Sequence, residues 1–120
     1  ANAMRGKTTL EHLLKSYIAG YEVLTRAGLA MGYQHYIAGW HATSTTGIIG
    51  GTAAIAYMNQ AANHQIAHSL AIAASLASGL KSQFGSEVKA MHAGFAARAA
   101  IEAAGLGSCG LEATSNLFIS

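Results

Sequence analysis

Between Arg26 and Lys81 the chain contains no Asp, Glu, Lys or Arg. A run of that length without a formal charge is either buried in protein or immersed in lipid. Its polar side chains decide between the two. Gln34, His35, His41, Asn59, Gln60, Asn63, His64, Gln65 and His68 interrupt it, and no window reaches the roughly 18 continuously apolar residues that a spanning helix needs. The run is therefore read as interior, and a membrane is not an expected partner. Charge is scarce elsewhere too, at 10% of 120 residues against 52% hydrophobic, where soluble domains carry about 25%. Such a chain cannot clothe its own surface, so the stretch is expected to be covered inside a larger body.

The length suits one domain or a piece of one. The seven cations are scattered along the chain and form no basic stripe, so nucleic acid is not an expected partner. There is no Asp, which removes the usual EF-hand loop, the Ser-His-Asp triad and most magnesium sites. Cys109 is the one cysteine and reads as a packing thiol rather than half of an internal disulfide. The opening ANAMRGK resembles neither a signal nor a transit peptide. Residues 1–7 are read as a tag remnant or disordered start, and the protein as cytoplasmic.

An alanine-rich chain without proline points to helices. The expected fold class is all-α, a bundle of about four to five helices. TTLE offers a capping box from Thr8 to Glu11, followed by an apolar stripe at Leu10, Leu13, Leu14, Tyr17, Ile18, Tyr21 and Leu24. That helix is predicted to stop near Gly28 or Gly32, with a loop through Tyr33 to Thr43. A second helix, apolar almost all round, is predicted from about Thr45 or Thr46, and its small residues Gly47, Gly50, Gly51 and Ala54 admit a close neighbouring backbone. A polar break at Asn59 to Asn63 separates it from a third, closed by Gly79. After the SQFGSE loop a fourth helix is expected from Glu87 to Ala104, burying Val88, Met91, Phe95 and Ala99. A short last segment carries Leu111, Leu117 and Phe118.

Two places carry candidate chemistry. One is the loop GWHATSTTG at 39–47, with His41 at its centre. The other is KAMHAGFAARAA, where Lys89 and His92 stand three apart. If Ser86 opens the helix, both side chains share one face of its first turns, and that face can meet an anion. His64 and His68 have the i, i+4 spacing of a metal pair, but no third ligand accompanies them and no metal is expected. His12 and His35 are read as surface or packing residues, and the tyrosines at 17, 21, 33, 36 and 57 as core and interface residues.

GYEVLTRAG at 20–28, GWHATSTTGIIGGTAAIA at 39–56, SLAIAASLASGL at 69–80 and VKAMHAGFAARAAIEAA at 88–104 together resemble the MmgE/PrpD family. That family includes 2-methylcitrate dehydratases, cis-aconitate decarboxylases and an iminodisuccinate epimerase. The resemblance implies that residues 8–120 form a partial segment of the family's large helical domain, usually homodimeric. An upstream segment and a lid domain, which complete the cleft in relatives, would lie outside it. It implies a lyase or isomerase that needs no metal or cofactor and takes small di- or tricarboxylates.

In that comparison His41 matches the histidine of the family's G-[FW]-H-x-[ST] loop, and Lys89 and His92 match its K-x-x-H-x-G motif. These three are the implied catalytic residues, with His41, Thr43, Ser44 and Lys89 holding substrate. The expected reaction is proton abstraction next to a carboxylate, followed by dehydration, decarboxylation or epimerisation. Lysine is cationic at neutral pH and suits a carboxylate, and histidine suits the acid–base role. Ala38 stands where some members carry a basic residue, and Ala42 where a proline often follows the histidine, which argues against decarboxylase specificity. Catalysis is expected to be incomplete in this chain alone. The alternative is a free-standing helical module that self-associates or binds a partner without catalysis. Both readings predict a homodimer or higher oligomer, because helices at 46–58 and 66–80 would otherwise expose apolar faces.

Overall fold

The computed structural model describes residues 8–114. Four α-helices follow in order, α1 (Leu10–Ile37), α2 (Ala42–Met58), α3 (Asn63–Leu76) and α4 (Glu87–Ser108), with a single 3-10 turn at Lys81–Gln83 before α4. The fold is an all-α bundle, as the composition implies. The expected disordered start and the residues Leu117 and Phe118 lie outside the described residues.

α2 is the centre, and the other three helices all pack against it. Its sequence explains why it can be buried on every side. It carries no charge, and two of its buried hydroxyls are satisfied within the helix: Thr46 Oγ1 donates to the Ala42 carbonyl at 2.7 Å and Thr52 Oγ1 to that of Ile48 at 2.8 Å. A threonine bonded back to its own helix needs no external partner, so it packs nearly as an apolar residue. Ile48 and Ile49 fill the core beside it, each contributing about 1.5–3 kcal/mol by burial.

Small residues set how closely the helices approach. Gly20 of α1 meets Gly50 of α2, and Gly51 meets Ala100 of α4. α4 presents His92, Ala96, Ala100, Ala103, Ala104 and Gly107 to the interior. The predicted stripe of Val88, Met91 and Phe95 is exposed instead. The same reversal occurs on α1. Its buried residues are Ser16 and Gly20, while Leu10, Leu13, Leu14, Tyr17, Ile18 and Tyr21 face outward, each at least 48% exposed. Conversely, α2 within the segment 46–58 is mostly buried, so the apolar surface expected there lies on α1.

Several boundaries also differ. Thr9, not Thr8, caps α1, its hydroxyl accepting from His12 N at 3.1 Å. Gly32, at φ +60°, breaks the helix where glycine was expected to end it, but a further helical turn resumes and runs to Ile37. The loop to α2 therefore shrinks to residues 38–41. α3 ends at Leu76 rather than Gly79, and α4 runs past Gly105 and Gly107 to Ser108. The polar break between α2 and α3 falls where expected. Among the described residues no helix is long and apolar enough to cross a membrane.

Candidate active site

The candidate residues meet where the α1–α2 loop lies beside the segment joining α3 to α4. Gly39 sits at φ +98° and Gly79 at φ +117°, backbone conformations that glycine adopts without strain. Between these turns Trp40 and Leu80 form an isolated antiparallel bridge. His41 N donates to the Gly79 carbonyl at 2.9 Å, and Lys81 N donates to that of Gly39 at 2.7 Å. His41 is thus pinned in extended conformation at the N-cap of α2, and its carbonyl accepts from Ser44 N and Thr45 N.

The His41 ring does not cap its own helix. It turns across to α4, where its Nδ1 lies 2.8 Å from Nδ1 of His92. Phe84 closes the other side, with its ring edge-on to the imidazole at 4.9 Å between centroids. Burial first, then His92 and then Lys89, hold the His41 imidazole below its usual value of 6.5. At neutral pH it is therefore an uncharged ring able to accept a proton.

Lys89 sits one helical turn before His92 on the same side of α4, and the two differ in depth. His92 points into the bundle and is 3% exposed, while Lys89 stands at the solvent edge with its Nζ 5.1 Å from the centre of the Phe84 ring. An open hollow of about 540 Å³ runs between the loop and the start of α4, lined by His41, Thr43, Gly85, Ser86, Lys89 and Ala90 among others. Thr43 borders it as expected. Ser44 does not: it is buried, with its hydroxyl turned 3.5 Å from the His92 carbonyl and its Cβ against Gly79. A helix N-terminus bearing a lysine on one side and a neutral imidazole on the other suits an anion that also presents a proton.

Three of the remaining histidines are spoken for. His35 Nε2 is 2.7 Å from Thr45 Oγ1 and its ring stacks on Trp40. His12 Nε2 meets the Met58 carbonyl at 3.0 Å. His68 Nδ1 packs on the backbone of Ala113, which separates it from any role with His64. Among the described residues no group of three His, Cys, Asp or Glu side chains could hold a metal ion. The tyrosines are surface residues rather than core, with Tyr17 on Tyr21 and Tyr33 on Tyr36 as stacked pairs.

Sequence reading missed Phe84, which touches both the imidazole and the lysine, and Gly85, whose φ of +90° lets the chain turn into α4. The signal was present as FGSE immediately before the helix. Ser86 is the N-cap residue, yet its hydroxyl donates back to the Gln83 carbonyl at 2.7 Å, which leaves the first amides of α4 without a side-chain cap.

These features define a class, a helical domain that brings an imidazole and a lysine to the rim of one solvent-open hollow, with a second, buried imidazole behind the first. The model of the MmgE/PrpD N-terminal domain matches residues 1–119, and the chain belongs to the MmgE/PrpD family. No curated protein matches it.

Proposed function

We propose that the hollow binds a small di- or tricarboxylate and that His41 exchanges a proton with the carbon next to one of its carboxylates. The observation that carries this reading is the pairing of an uncharged His41 with Lys89 across one opening. Lys89 holds a carboxylate by charge. Its ammonium also favours electron density building on that carboxylate as the C–H bond breaks, since fixed charge aimed at the developing anion lowers the barrier. The Thr43 hydroxyl and the uncapped amides at the start of α4 supply further donors to the same group. Family membership supports lyase or isomerase chemistry of this kind. The full reaction is read as belonging to the assembled cleft of a complete enzyme, with this chain supplying one wall. Cys109 is free and exposed, which suits a reducing compartment, and the proposed location is the cytoplasm.

The test is titration with citrate, followed by calorimetry and by amide shifts at Thr43, Ser86 and Ala90. Binding is expected at millimolar concentration or tighter, weakened about 10- to 100-fold by Lys89→Met, as for loss of one charged hydrogen bond. Lys89 is exposed, so the fold should be unaffected. A chain that binds citrate equally well with and without Lys89, or not at all, would sink the reading.

A second reading, self-association, is favoured by a different observation, the outward apolar stripe on α1. It is compatible with the first. Contiguous apolar surface of this kind marks interfaces more often than free surface.

A further inference from the structure

We propose that His92 is a positioning residue that shares one proton with His41, Nδ1 to Nδ1, and thereby ties the form in which His41 Nε2 meets the hollow to the position of that proton. The inference rests on the reading of His41 as the group that exchanges a proton with substrate, and adds what governs it.

The geometry leaves few alternatives. Two imidazole nitrogens 2.8 Å apart must hold one hydrogen between them. Two N–H groups would set hydrogen against hydrogen, and two bare nitrogens would set lone pair against lone pair. His92 is 3% exposed and does not line the hollow, so it does not touch substrate there. His41 Nε2 has no hydrogen-bond partner among the described residues, and it is the nitrogen left for the ligand.

Two neutral arrangements of the pair follow. With the shared hydrogen on His41 Nδ1, His41 Nε2 is bare and can accept a proton. With it on His92 Nδ1, His41 Nε2 carries a hydrogen and can donate one. When Nε2 takes a proton from a substrate carbon, the C–H electron pair stays on the substrate. His41 becomes the cation, and its Nδ1–H continues to donate to His92 Nδ1. Return of that proton to carbon or to a departing hydroxyl restores the neutral pair. The dyad therefore takes up one proton and not two while the contact is intact, because a second would force two N–H groups together. It equips one residue for both removal and return of a proton.

The charged and titratable neighbours do not disturb this arrangement. Lys89 and His92 of α4 are those that act on His41. From the connecting turn, Lys81 is engaged with the Tyr36 carbonyl and ring, and from α1 His35 is engaged with Thr45.

The test reads the imidazole nitrogens directly. In the ¹⁵N-labelled chain at pH 8, nitrogen shifts of the two Nδ1 atoms should sum to one protonated and one bare nitrogen, even if the hydrogen moves quickly between them. His92→Ala should leave His41 Nδ1 without its partner and change the His41 tautomer ratio from that of the unaltered chain. His92→Asn, which keeps a hydrogen-bonding atom near the Nδ1 position, should move that ratio back toward the unaltered chain's. Two bare or two protonated Nδ1 atoms in the unaltered chain would overturn the proposal. So would a His41 tautomer ratio that His92→Ala leaves unchanged. Because no ligand is involved, these outcomes stand apart from the citrate titration. A shared proton without citrate binding would overturn the proposed reaction and not the dyad, and citrate binding without a shared proton the reverse.

Discussion

Gly20 and Gly50 lie back to back where α1 crosses α2, so close that a methyl group on either would strike the other's backbone. A Cβ at Gly50 would come within 2.6 Å of Leu24 Cβ and 2.8 Å of the Gly20 carbonyl oxygen, and one at Gly20 within 2.7 Å of Gly50 O. Neither obstacle is the free end of a flexible side chain. The contact fixes the height at which α1 rides over the core, and with it the position of the loop that carries His41.

Gly50→Ala is accordingly expected to destabilise the fold by about 1–3 kcal/mol, the usual range for overpacking. Gly94→Ala is the control, since Gly94 lies on the exposed face of α4 with nothing within 4 Å of an added Cβ. It should stabilise by about 0.4–1 kcal/mol through reduced freedom of the unfolded chain. Urea unfolding of the two variants measures both, and a neutral Gly50→Ala would refute the close packing.

Gly79→Ala should damage the site as well as the fold. Its φ of +117° is costly for any residue with a Cβ, and that Cβ would lie 2.6 Å from Ser44 Cβ and 3.6 Å from His92 Nδ1. A loss of about 1–3 kcal/mol is expected from the backbone strain. The His41 and Lys81 amides, which bridge the two segments, should lose hydrogen-exchange protection more than amides in the middle of α2. Equal loss everywhere would show that the bridge is not held by this residue.

The lowered pKa of His41 gives stability a definite pH dependence. An imidazole that protonates less readily folded than unfolded leaves the unfolded state with more bound protons below 6.5. Its contribution is neutral above that value, and stability falls as the pH drops from 6.5 through the lower folded value. Unfolding curves between pH 5 and 8 should show a shallower acid decline for His41→Gln than for the unaltered chain. Superimposable declines would argue against a shifted His41.

The stripe on α1 predicts self-association. Leu14→Lys with Ile18→Lys charges its centre at positions 53% and 64% exposed, so the bundle should remain folded. Light scattering is expected to give a homodimer or larger species for the unaltered chain at micromolar concentration and a monomer for the double variant. A monomeric unaltered chain would defeat the expectation.

The segmentation of the fold was legible in the sequence and the faces of its helices were not. Asn59 to Asn63 break the chain where turn-forming residues accumulate, and Ser86 before Glu87 opens α4, because both signals act within a few residues. Burial is decided between helices. On α1, periodicity points to Leu13, Tyr17 and Ile18, yet the core takes Ser16 and Gly20, the latter because only a glycine fits against Gly50. On α4 the alanines win over Met91 and Phe95 for the same reason. His41 and His92 were each legible as candidates through the family resemblance. Their contact spans 51 positions, and it exists only because α2 and α4 cross at small residues. Ser44 looked equivalent to Thr43 in the loop, but one position along a helix turns a side chain by about 100°, from the hollow to the interior.

The bridge between Trp40 and Leu80 gives the site a mechanical property. Two backbone bonds tie the histidine loop to the segment that leads into α4, so neither strand can slide without the other. The segment that leads into Ser86 and Lys89 is therefore anchored at its far end to the nitrogen of His41. The two rims of the hollow are in this way one mechanical unit, joined through backbone rather than through charge.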